Sequence, residues 1–370
     1  MFFMHHLCMP RMAKKMSKAD GTKFAPATKQ TGPVVKPGEF IFAAAFLDHG
    51  HIYPMVRALL DAGGQCKYVY EPDETRRTAF LADFPGVQPV HDFEAVLQDP
   101  HVHMVAAAGV PSTRGPVGVQ CMAHGKDYFV DKTPFTTLAQ LEEARATVAR
   151  TGRKFMVYYC ERLHSEGAEY AGQLVKGGAI GNVVQVMGIG PHRLNAPSRP
   201  GWFFDRARYG GILCDIGSHQ CEQFLYFTGA TDAQVLHSKV RTHPNYPELE
   251  TFGDCNLLGN NGASGYFRVD WLTPQALPTW GDGRLFIAGT QGFIEVRKHM
   301  NLGVNTQADH VFLCNNDTYE YINVEGKVGC RFFGDLVLDV LNRTENAMTQ
   351  AHAFKAAELC LLAQEKAMII

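Results

Sequence analysis

The stretch "FIFAAAFLDHGHIYPMVRALLDAG" (40–63) decides the fold class. Its first eight residues, 40–47, form an apolar run that is typical of a strand buried in a parallel sheet. A short polar turn follows, and then apolar residues recur at helical spacing until Gly63 and Gly64. In a doubly wound sheet, such a first strand–turn–helix unit binds a pyrophosphate at the helix N-terminus. The stretch therefore predicts the start of a nucleotide-binding α/β domain.

The alternation of strands and helices continues beyond this unit. Further apolar runs at 66–73, 101–109, 127–134 and 154–162 predict strands, with helical patterns between them. Strand–helix alternation at this spacing indicates a doubly wound parallel sheet over 39–160.

The second half of the chain, 161–370, has a different pattern. Several strand-like runs follow one another without long helices between them, which predicts a large, mostly antiparallel sheet with one open face. The stretch "AFKAAELCLLAQEKAM" (353–368) closes the chain as a helix that is a candidate to pack back on the first domain. The expected fold is α/β, with an N-terminal Rossmann domain and a C-terminal α/β domain.

Composition supports two folded domains. The chain has 370 residues, of which 46% are hydrophobic and 19% charged, so it is long and apolar enough to form a large core. Residues 1–38 hold seven Lys and Arg and one acid, which leaves 28 basic and 36 acidic residues, a net charge of −8, in the rest. A body of that charge argues against a nucleic-acid partner.

The ten cysteines are scattered and include no C-x-x-C pair. This pattern predicts reduced thiols in a cytoplasmic protein and no metal site. No apolar run reaches the roughly 18 residues of a membrane span, so no membrane partner is expected. Residues 1–38 have loop composition and are predicted to be a mobile lead-in, with translation from Met16 and a mitochondrial presequence as alternatives.

The turn after the first strand departs from the G-x-G-x-x-G fingerprint of dinucleotide sites, because Gly50 is its only glycine. We expect backbone N–H groups of this turn to hold the pyrophosphate. The cofactor-binding residues predicted here are His49, Gly50, His51 and Ile52 in the turn, and Gly109 and Pro111 after the strand at 101–109.

Glu71 follows the second strand about 20 residues after Gly50, where an acid accepts the ribose hydroxyls of NAD. This position predicts NAD as the cofactor in preference to NADP. Arg76 and Arg77 keep NADP open as the alternative, since either can bind a 2′-phosphate. The alternative interpretation of Glu71 is an ordinary acid in the loop before Pro72.

The stretch "ARYGGILCDIGSHQCEQFLYFTG" (207–229) places Asp215 and His219 four residues apart in an apolar helical pattern. Side chains at this spacing share one helix face. The pair is interpreted either as a general base with an orienting carboxylate in a cleft, or as a structural pair on the helix face.

Three motifs, in this order and spacing, resemble the Gfo/Idh/MocA family, the glucose–fructose oxidoreductase and inositol dehydrogenase group. They are "HGKDYFVDKTP" (124–134), "GGILCDIGSHQCEQFLYFTG" (210–229) and "GTQGFIEV" (289–296). The resemblance covers about 40–370 and implies a Rossmann domain, a C-terminal domain with an open sheet, and a homodimer or homotetramer. Asp131 and Thr133 depart from the family's E-K-P pattern, and the incomplete glycine fingerprint leaves cofactor binding open.

The resemblance places the family's motif lysine on Lys132, its acid on Asp215 and its histidine on His219. These three are the predicted catalytic residues. His219 is expected to take the hydroxyl proton of a secondary alcohol, and Lys132, which also lies near the cofactor, to stabilise alkoxide character. Asp215 is expected to bind the substrate or to orient the imidazole.

The segment 190–211 gathers polar donors and aromatic rings between a strand and the motif helix. Such a mixture suits a polyhydroxylated ring, so a sugar or cyclitol is the expected substrate, and the arginines keep a sugar acid open. The predicted substrate-binding residues are Arg162, where family members often carry an arginine, together with His192, Arg193, Asn195, Trp202 and Arg208. Trp280 is expected to add to the same wall.

The expected activity is NAD(P)-dependent oxidation of a secondary alcohol, with His219 as the acid/base group. Two alternatives remain open. One is a glycosidase, lyase or epimerase that uses tightly bound NAD without net redox change. The other is a binding protein that has lost its dinucleotide.

Overall fold

The computed structural model describes residues 32–370, so most of the predicted lead-in (1–38) lies outside the described residues. Residues 32–38 contain no helix or strand. They are anchored by the N–H group of Val34, which donates to the carbonyl of Ala62 at 2.9 Å.

The first sheet has six parallel strands in the order β3-β2-β1-β4-β5-β6. Its strands are β1 (Ile41–Ala45), β2 (Gln65–Tyr70), β3 (Gln88–Val90), β4 (Met104–Ala107), β5 (Asp127–Asp131) and β6 (Phe155–Tyr158). The strand order reverses between β1 and β4, and ligands of open α/β sheets bind beyond such a point. The predicted parallel sheet is confirmed.

Five helices connect these strands: α1 (Ile52–Asp61), α2 (Glu74–Asp83), α3 (Phe93–Gln98), α4 (Pro111–Ala123) and α5 (Leu138–Thr151). The side chains of Asp73, Asp92 and Thr137 cap α2, α3 and α5 by accepting a backbone N–H bond. The helix that faces the switch point, α1, begins after His51 without a side-chain cap.

The second sheet has nine strands in the order β14-β13-β12-β11-β7-β10-β9-β8-β15. They are β7 (Val183–Pro191), β8 (Ala233–His243), β9 (Tyr246–Gly259), β10 (Ser264–Asp270), β11 (Arg284–Gly289), β12 (Gly292–Arg297), β13 (His310–Asn315), β14 (Tyr319–Asn323) and β15 (Met368–Ile369). Only the pairs β7–β10 and β8–β15 are parallel, so the sheet is mostly antiparallel, as predicted.

The helices of the second half are α6 (Cys160–Leu163), α7 (Glu166–Lys176), α8 (Arg206–Tyr209), α9 (Ile212–Asp215), α10 (Gly217–Thr228), α11 (Phe332–Asn342) and α12 (Gln350–Glu365). Two 3-10 turns, Ala196–Ser198 and Gly201–Phe204, precede α8. The last helix, α12, lies against α5 through an ion pair of Arg145 with Glu358 at 2.6 Å.

The motif stretch 207–229 differs from the single helix that its pattern predicts. It contains the end of α8, the short helix α9 and then α10, and Gly210 and Gly211 separate α8 from α9. Both glycines have positive φ, 89° and 93°, and a Cβ on Gly211 would lie 2.2 Å from Oε1 of Gln364. Helical spacing alone does not reveal these breaks, because α9 and α10 continue the same buried apolar pattern.

Close packing brings α10 onto the second sheet. A Cβ on Gly188 of β7 would lie 1.9 Å from Oε1 of Gln220 on α10, so a larger residue there would displace the Gln220 side chain. The first turn of α10 therefore packs closely on β7.

The nine cysteines of residues 32–370 form no disulfide within that range. Among the helices of the same residues, none combines the length and apolar character of a membrane span.

Candidate active site

A cleft opens beyond the carboxyl ends of the first-sheet strands and is closed by the second domain. Its lining residues are His49, His51, Pro111, Arg114, Lys132, Cys160, Glu161, His192, Arg199, Trp202, Phe203, Asp215, His219, Trp271 and Trp280. All three tryptophans of the chain are among them. The cleft thus combines charged side chains with aromatic rings.

Lys132 and Asp215 meet across the domain boundary. Lys132 directly follows β5, Asp215 ends α9, and Nζ lies 2.7 Å from Oδ1. Burial alone would lower the pKa of Lys132, but the Asp215 carboxylate outweighs this and raises it. Burial would likewise raise the pKa of Asp215, and Lys132 instead lowers it. Lys132 is therefore a protonated hydrogen-bond donor at neutral pH rather than a base.

His219 lies on the first turn of α10 and is 1% exposed. Its Nδ1 is buried and has no hydrogen-bond partner among residues 32–370, and its Nε2 lies 3.9 Å from Sγ of Cys160. Burial lowers the pKa of His219 to about 3, so the imidazole is neutral at pH 7. The Asp215 carboxylate bonds to Lys132 and not to this imidazole.

Glu161 is a cleft residue that the sequence analysis missed. Its Oε2 accepts hydrogen bonds from Lys298 at 2.9 Å and Gln220 at 3.0 Å, while its buried Oε1 has no partner within residues 32–370. Burial would raise the pKa of Glu161, but Lys298 outweighs it and holds the pKa well below the usual range. The family resemblance points to the adjacent Arg162 instead, and the sequence of the helical turn at 160–163 does not show which of its side chains faces the cleft.

The structure places Arg162 away from the cleft. Its guanidinium forms a buried ion pair with Glu222 at 2.5 Å and lies 3.9 Å from the ring centre of Tyr226. A structural role accounts for these contacts.

Of the other predicted substrate-binding residues, two line the cleft and three do not. His192 and Trp202 line it. Arg193 donates to the carbonyls of Pro274 and Leu277, which fixes a loop. The remaining two, Asn195 and Arg208, are exposed at the surface.

The aromatic wall includes residues that sequence reasoning did not select. Trp271 follows β10, and Phe203 lies in the second 3-10 turn. The guanidinium of Arg199 lies 4.6 Å from the ring centre of Phe203 and 5.0 Å from that of Trp271. Strand alternation alone does not show that Trp271 faces the cleft, because the strand has already ended at that point.

The turn between β1 and α1 uses several of its own N–H groups. Leu47 N–H donates to Oε2 of Glu71 at 2.6 Å, and His49 N–H donates to the carbonyl of Ala108 at 2.9 Å. His51 N–H donates to Nδ1 of His49 at 3.2 Å. A pair of N–H groups, those of Asp48 and Gly50, donates to no residue of 32–370.

Fewer N–H groups of this turn are available to a pyrophosphate than the sequence suggested. Ile52 is among the predicted cofactor-binding residues, but its N–H donates within the turn, to the carbonyl of His49 at 3.3 Å. The turn therefore offers a pyrophosphate fewer amide donors than a glycine-rich turn does.

Asp131, at the end of β5, is fully buried and collects three partners. Its Oδ1 lies 2.7 Å from Nδ1 of His51, and its Oδ2 lies 3.0 Å from Arg114 and 3.2 Å from Nδ1 of His49. Within residues 32–370, His49, His51 and Asp131 also form the group of side chains close enough to share a metal ion. The Arg114 guanidinium already balances the carboxylate charge.

Glu71 is 1% exposed and points inward. Besides Leu47 N–H, it accepts from Asp73 N–H and from Arg76, both at 2.8 Å. Arg76 also lies 3.5 Å from Asp48. The carboxylate is therefore engaged with the protein, and Arg76 is the more exposed group at this edge.

Comparisons with known proteins agree with this architecture. Residues 44–159 match the family model described as the oxidoreductase family with an NAD-binding Rossmann fold, and residues 169–295 match the GFO/IDH/MocA C-terminal domain. The scyllo-inositol 2-dehydrogenase (NAD(+)) of Bacillus subtilis is 27% identical over 217 residues, which are 56% of this chain. The matched region spans 60% of that relative's length.

Two solved structures show the same fold. A protein of Erwinia carotovora atroseptica SCRI1043, named only as a candidate oxidoreductase, is 47% identical with a TM-score of 0.87 and covers 90% of this chain and 100% of its own. A levoglucosan dehydrogenase in complex with NADH and levoglucosan is 14% identical with a TM-score of 0.75, covers 89% of this chain and 97% of its own, and supports the fold alone. With both domain models matched along its length, the chain belongs to the GFO/IDH/MocA family of oxidoreductases, and its first domain is an NAD(P)-binding Rossmann domain.

Proposed function

We propose that the protein oxidises a secondary alcohol of a cyclitol or sugar, or reduces the corresponding ketone, with NAD as the hydride carrier. The observation that carries this proposal is the convergence of Lys132, Asp215 and His219 on one aromatic cleft. Hydride transfer itself is chemistry that a bound nicotinamide supplies.

The side chains divide the remaining work. The Lys132 ammonium, held by Asp215, donates a hydrogen bond to the reacting oxygen and stabilises its negative charge as the hydroxyl proton leaves. His219, which is neutral, offers its unpartnered Nδ1 to the substrate hydroxyl. Closure by the second domain keeps this exchange away from bulk water.

The aromatic wall supports a ring-shaped polyol. The rings of Trp202, Trp271 and Trp280 can stack on the C–H faces of such a ring, while Glu161 Oε1 accepts a hydroxyl hydrogen bond. The name of the Bacillus subtilis relative, an inositol dehydrogenase, supports a cyclitol among these candidates.

NAD is favoured over NADP by charge. The edge at the end of β2 carries three carboxylates, Asp48, Glu71 and Asp73, against Arg76 and Arg77. This net negative edge disfavours a 2′-phosphate dianion, even though Glu71 itself is turned inward. The same Bacillus subtilis relative is named as NAD(+)-dependent, which agrees with this choice.

The open face of the second sheet supports a homodimer or homotetramer. Large apolar side chains are exposed there: Leu258 on β9 and Phe293 on β12, which alternate with the buried positions of their strands, and Tyr321 on β14. Exposed apolar surface of this kind is a feature of association surfaces. Light scattering of the purified protein measures the assembly.

The decisive experiment is to measure binding of NADH and NADPH to the purified chain, and then turnover with a panel of inositols, sugars and sugar acids. Reduction of NAD by at least one polyol supports the proposal. The engaged amides of the β1–α1 turn favour one alternative, a protein that has lost its dinucleotide, and the absence of any NAD(P)H binding would establish it. Tightly retained NAD that no alcohol reduces would instead indicate a non-redox reaction.

A further inference from the structure

We propose that His51, held by Asp131, is the group on which the hydroxyl proton of the substrate comes to rest. This assignment rests on the proposed function. It gives a catalytic part to a residue that the sequence analysis placed only in the phosphate turn.

The first observation is the geometry of the His51–Asp131 pair. Nδ1 of His51 lies 2.7 Å from Oδ1 of Asp131, a carboxylate that is fully buried. The other oxygen, Oδ2, is held by Arg114 at 3.0 Å. A carboxylate at Nδ1 fixes the tautomer that carries hydrogen there, which leaves the Nε2 lone pair as the proton acceptor.

The second observation is access. The His51 imidazole lines the cleft together with Lys132 and His219. Its Nε2 makes no hydrogen bond to any residue of 32–370, so this lone pair is available to a molecule in the cleft or to water.

The third observation is the contrast with His219. Within residues 32–370, Nδ1 of His219 has no partner, and no carboxylate accepts a hydrogen bond from its ring. Burial lowers the pKa of His219 to about 3, and its ring has no carboxylate against it within this range. The His51 ring, in contrast, lies 2.7 Å from the Asp131 carboxylate.

Asp131 is ionised for a clear reason. Burial alone would raise its pKa, but His51, Arg114 and His49 outweigh this and hold the pKa well below the usual range. The groups around the His51 ring are the imidazoles of His49, His164 and His219 and the ring of Tyr158, with Arg114 and Lys132 nearby. Asp131 is the acid that contacts His51.

The step is balanced. The carbinol C–H bond would break, and its hydride, with two electrons, would be taken up by the oxidised nicotinamide dinucleotide of the proposed function. The O–H bond breaks and its proton goes, directly or by way of His219, to Nε2 of His51, while the carbinol carbon and oxygen form a carbonyl. A water molecule would then take the proton from the imidazolium. Ketone reduction would follow the same steps in reverse.

The kinetic test compares His51→Gln with the wild type on a polyol that the wild type oxidises. We expect kcat to fall about 10²-fold or more, the usual scale for an acid/base group, with the Kd of NADH changed less than about twofold. Added imidazole should restore part of the turnover of His51→Gly. The matched control is His124→Gln, because His124 is exposed at the end of α4 and outside the cleft.

A second measurement does not depend on turnover. Nitrogen-15 NMR of labelled histidines should show His51 with hydrogen on Nδ1 in the wild type, and Asp131→Asn should lose this tautomer. An Nε2–H tautomer in the wild type, or one bound zinc per chain that His51→Gln loses, would overturn the assignment. A fully active His51→Gln variant would overturn the assignment of His51 but not the proposed function. A wild type that is inactive on every polyol would overturn both.

Discussion

Lys132 and Asp215 form a buried ion pair that joins the two domains, with Nζ 2.7 Å from Oδ1. Lys132 belongs to the end of β5 in the first sheet, and Asp215 to α9 beside the second. The pair is thus one of the contacts between the nucleotide domain and the second domain. It also raises the pKa of Lys132, which keeps the ammonium group charged in the cleft.

Replacing Lys132 by Ala should reduce kcat/KM about 10²-fold or more, because the donor to the reacting oxygen is lost. It should also leave the buried Asp215 carboxylate uncompensated, at a cost of about 3 kcal/mol in the free energy of unfolding. Asp215→Asn should cause a smaller loss of turnover. Steady-state kinetics and denaturant melts of both variants test this, and an unchanged kcat/KM in Lys132→Ala would contradict it.

Replacing His219 by Ala should also reduce turnover about 10²-fold or more, because the ring lines the cleft and is the proposed acid/base group. Little change is expected in the affinity for NADH. A merely structural His219 would give a lower Tm and near-normal turnover per folded molecule. Kinetics normalised to the folded fraction distinguish the two results.

Replacing Glu71 by Ser should narrow the preference for NADH over NADPH. The substitution removes one negative charge beside Arg76 and releases that guanidinium. It also leaves Leu47 N–H without its 2.6 Å acceptor, which should cost about 1–3 kcal/mol of stability. Fluorescence titration with both reduced cofactors measures the preference, and an unchanged Kd ratio would exclude a charge effect at this edge.

Replacing Arg162 should change the stability of the fold, whereas replacing Trp280 should change substrate binding. Arg162→Met removes the partner of the buried Glu222 and should destabilise the fold by about 3–5 kcal/mol without raising the KM of the folded fraction. Trp280→Ala removes part of the cleft wall and should raise KM roughly tenfold, about 1.4 kcal/mol. A raised KM in a stable Arg162 variant would restore Arg162 to the substrate site.

Acid should destabilise the protein through its buried histidines. Burial lowers the pKa of His164 to about 3, whereas an unfolded histidine titrates near 6.5. The unfolded chain therefore binds the proton first, so the stability contributed by neutral His164 is complete above about pH 6.5 and is lost as the pH falls toward 3. At pH 5 the loss is about 2 kcal/mol for this residue. His164→Gln should take up about one proton fewer on unfolding between pH 6.5 and 4, and an unchanged slope of unfolding free energy against pH would contradict this.

Local pattern was enough to predict much of the molecule. The apolar run at 40–47 and its successors predict the parallel sheet, because a strand covered on both faces must be apolar throughout. The motifs around Lys132 and around Asp215 and His219 are enough to identify the family, because their residue types, order and spacing match the family's motifs. The cleft contains all three of these side chains.

The partners of those side chains were decided by tertiary structure. Spacing within one helix suggested that Asp215 orients His219, but Lys132, 83 positions away, takes the carboxylate because a buried ammonium needs an opposite charge. Glu71 turned inward for a similar reason, since Leu47 N–H and Arg76 offered it bonds that a sequence does not reveal. Sequence thus determined which groups the cleft contains, and the packing of two sheets against one another determined which of them pair, because buried charges and hydrogen-bonding groups must find partners in space rather than along the chain.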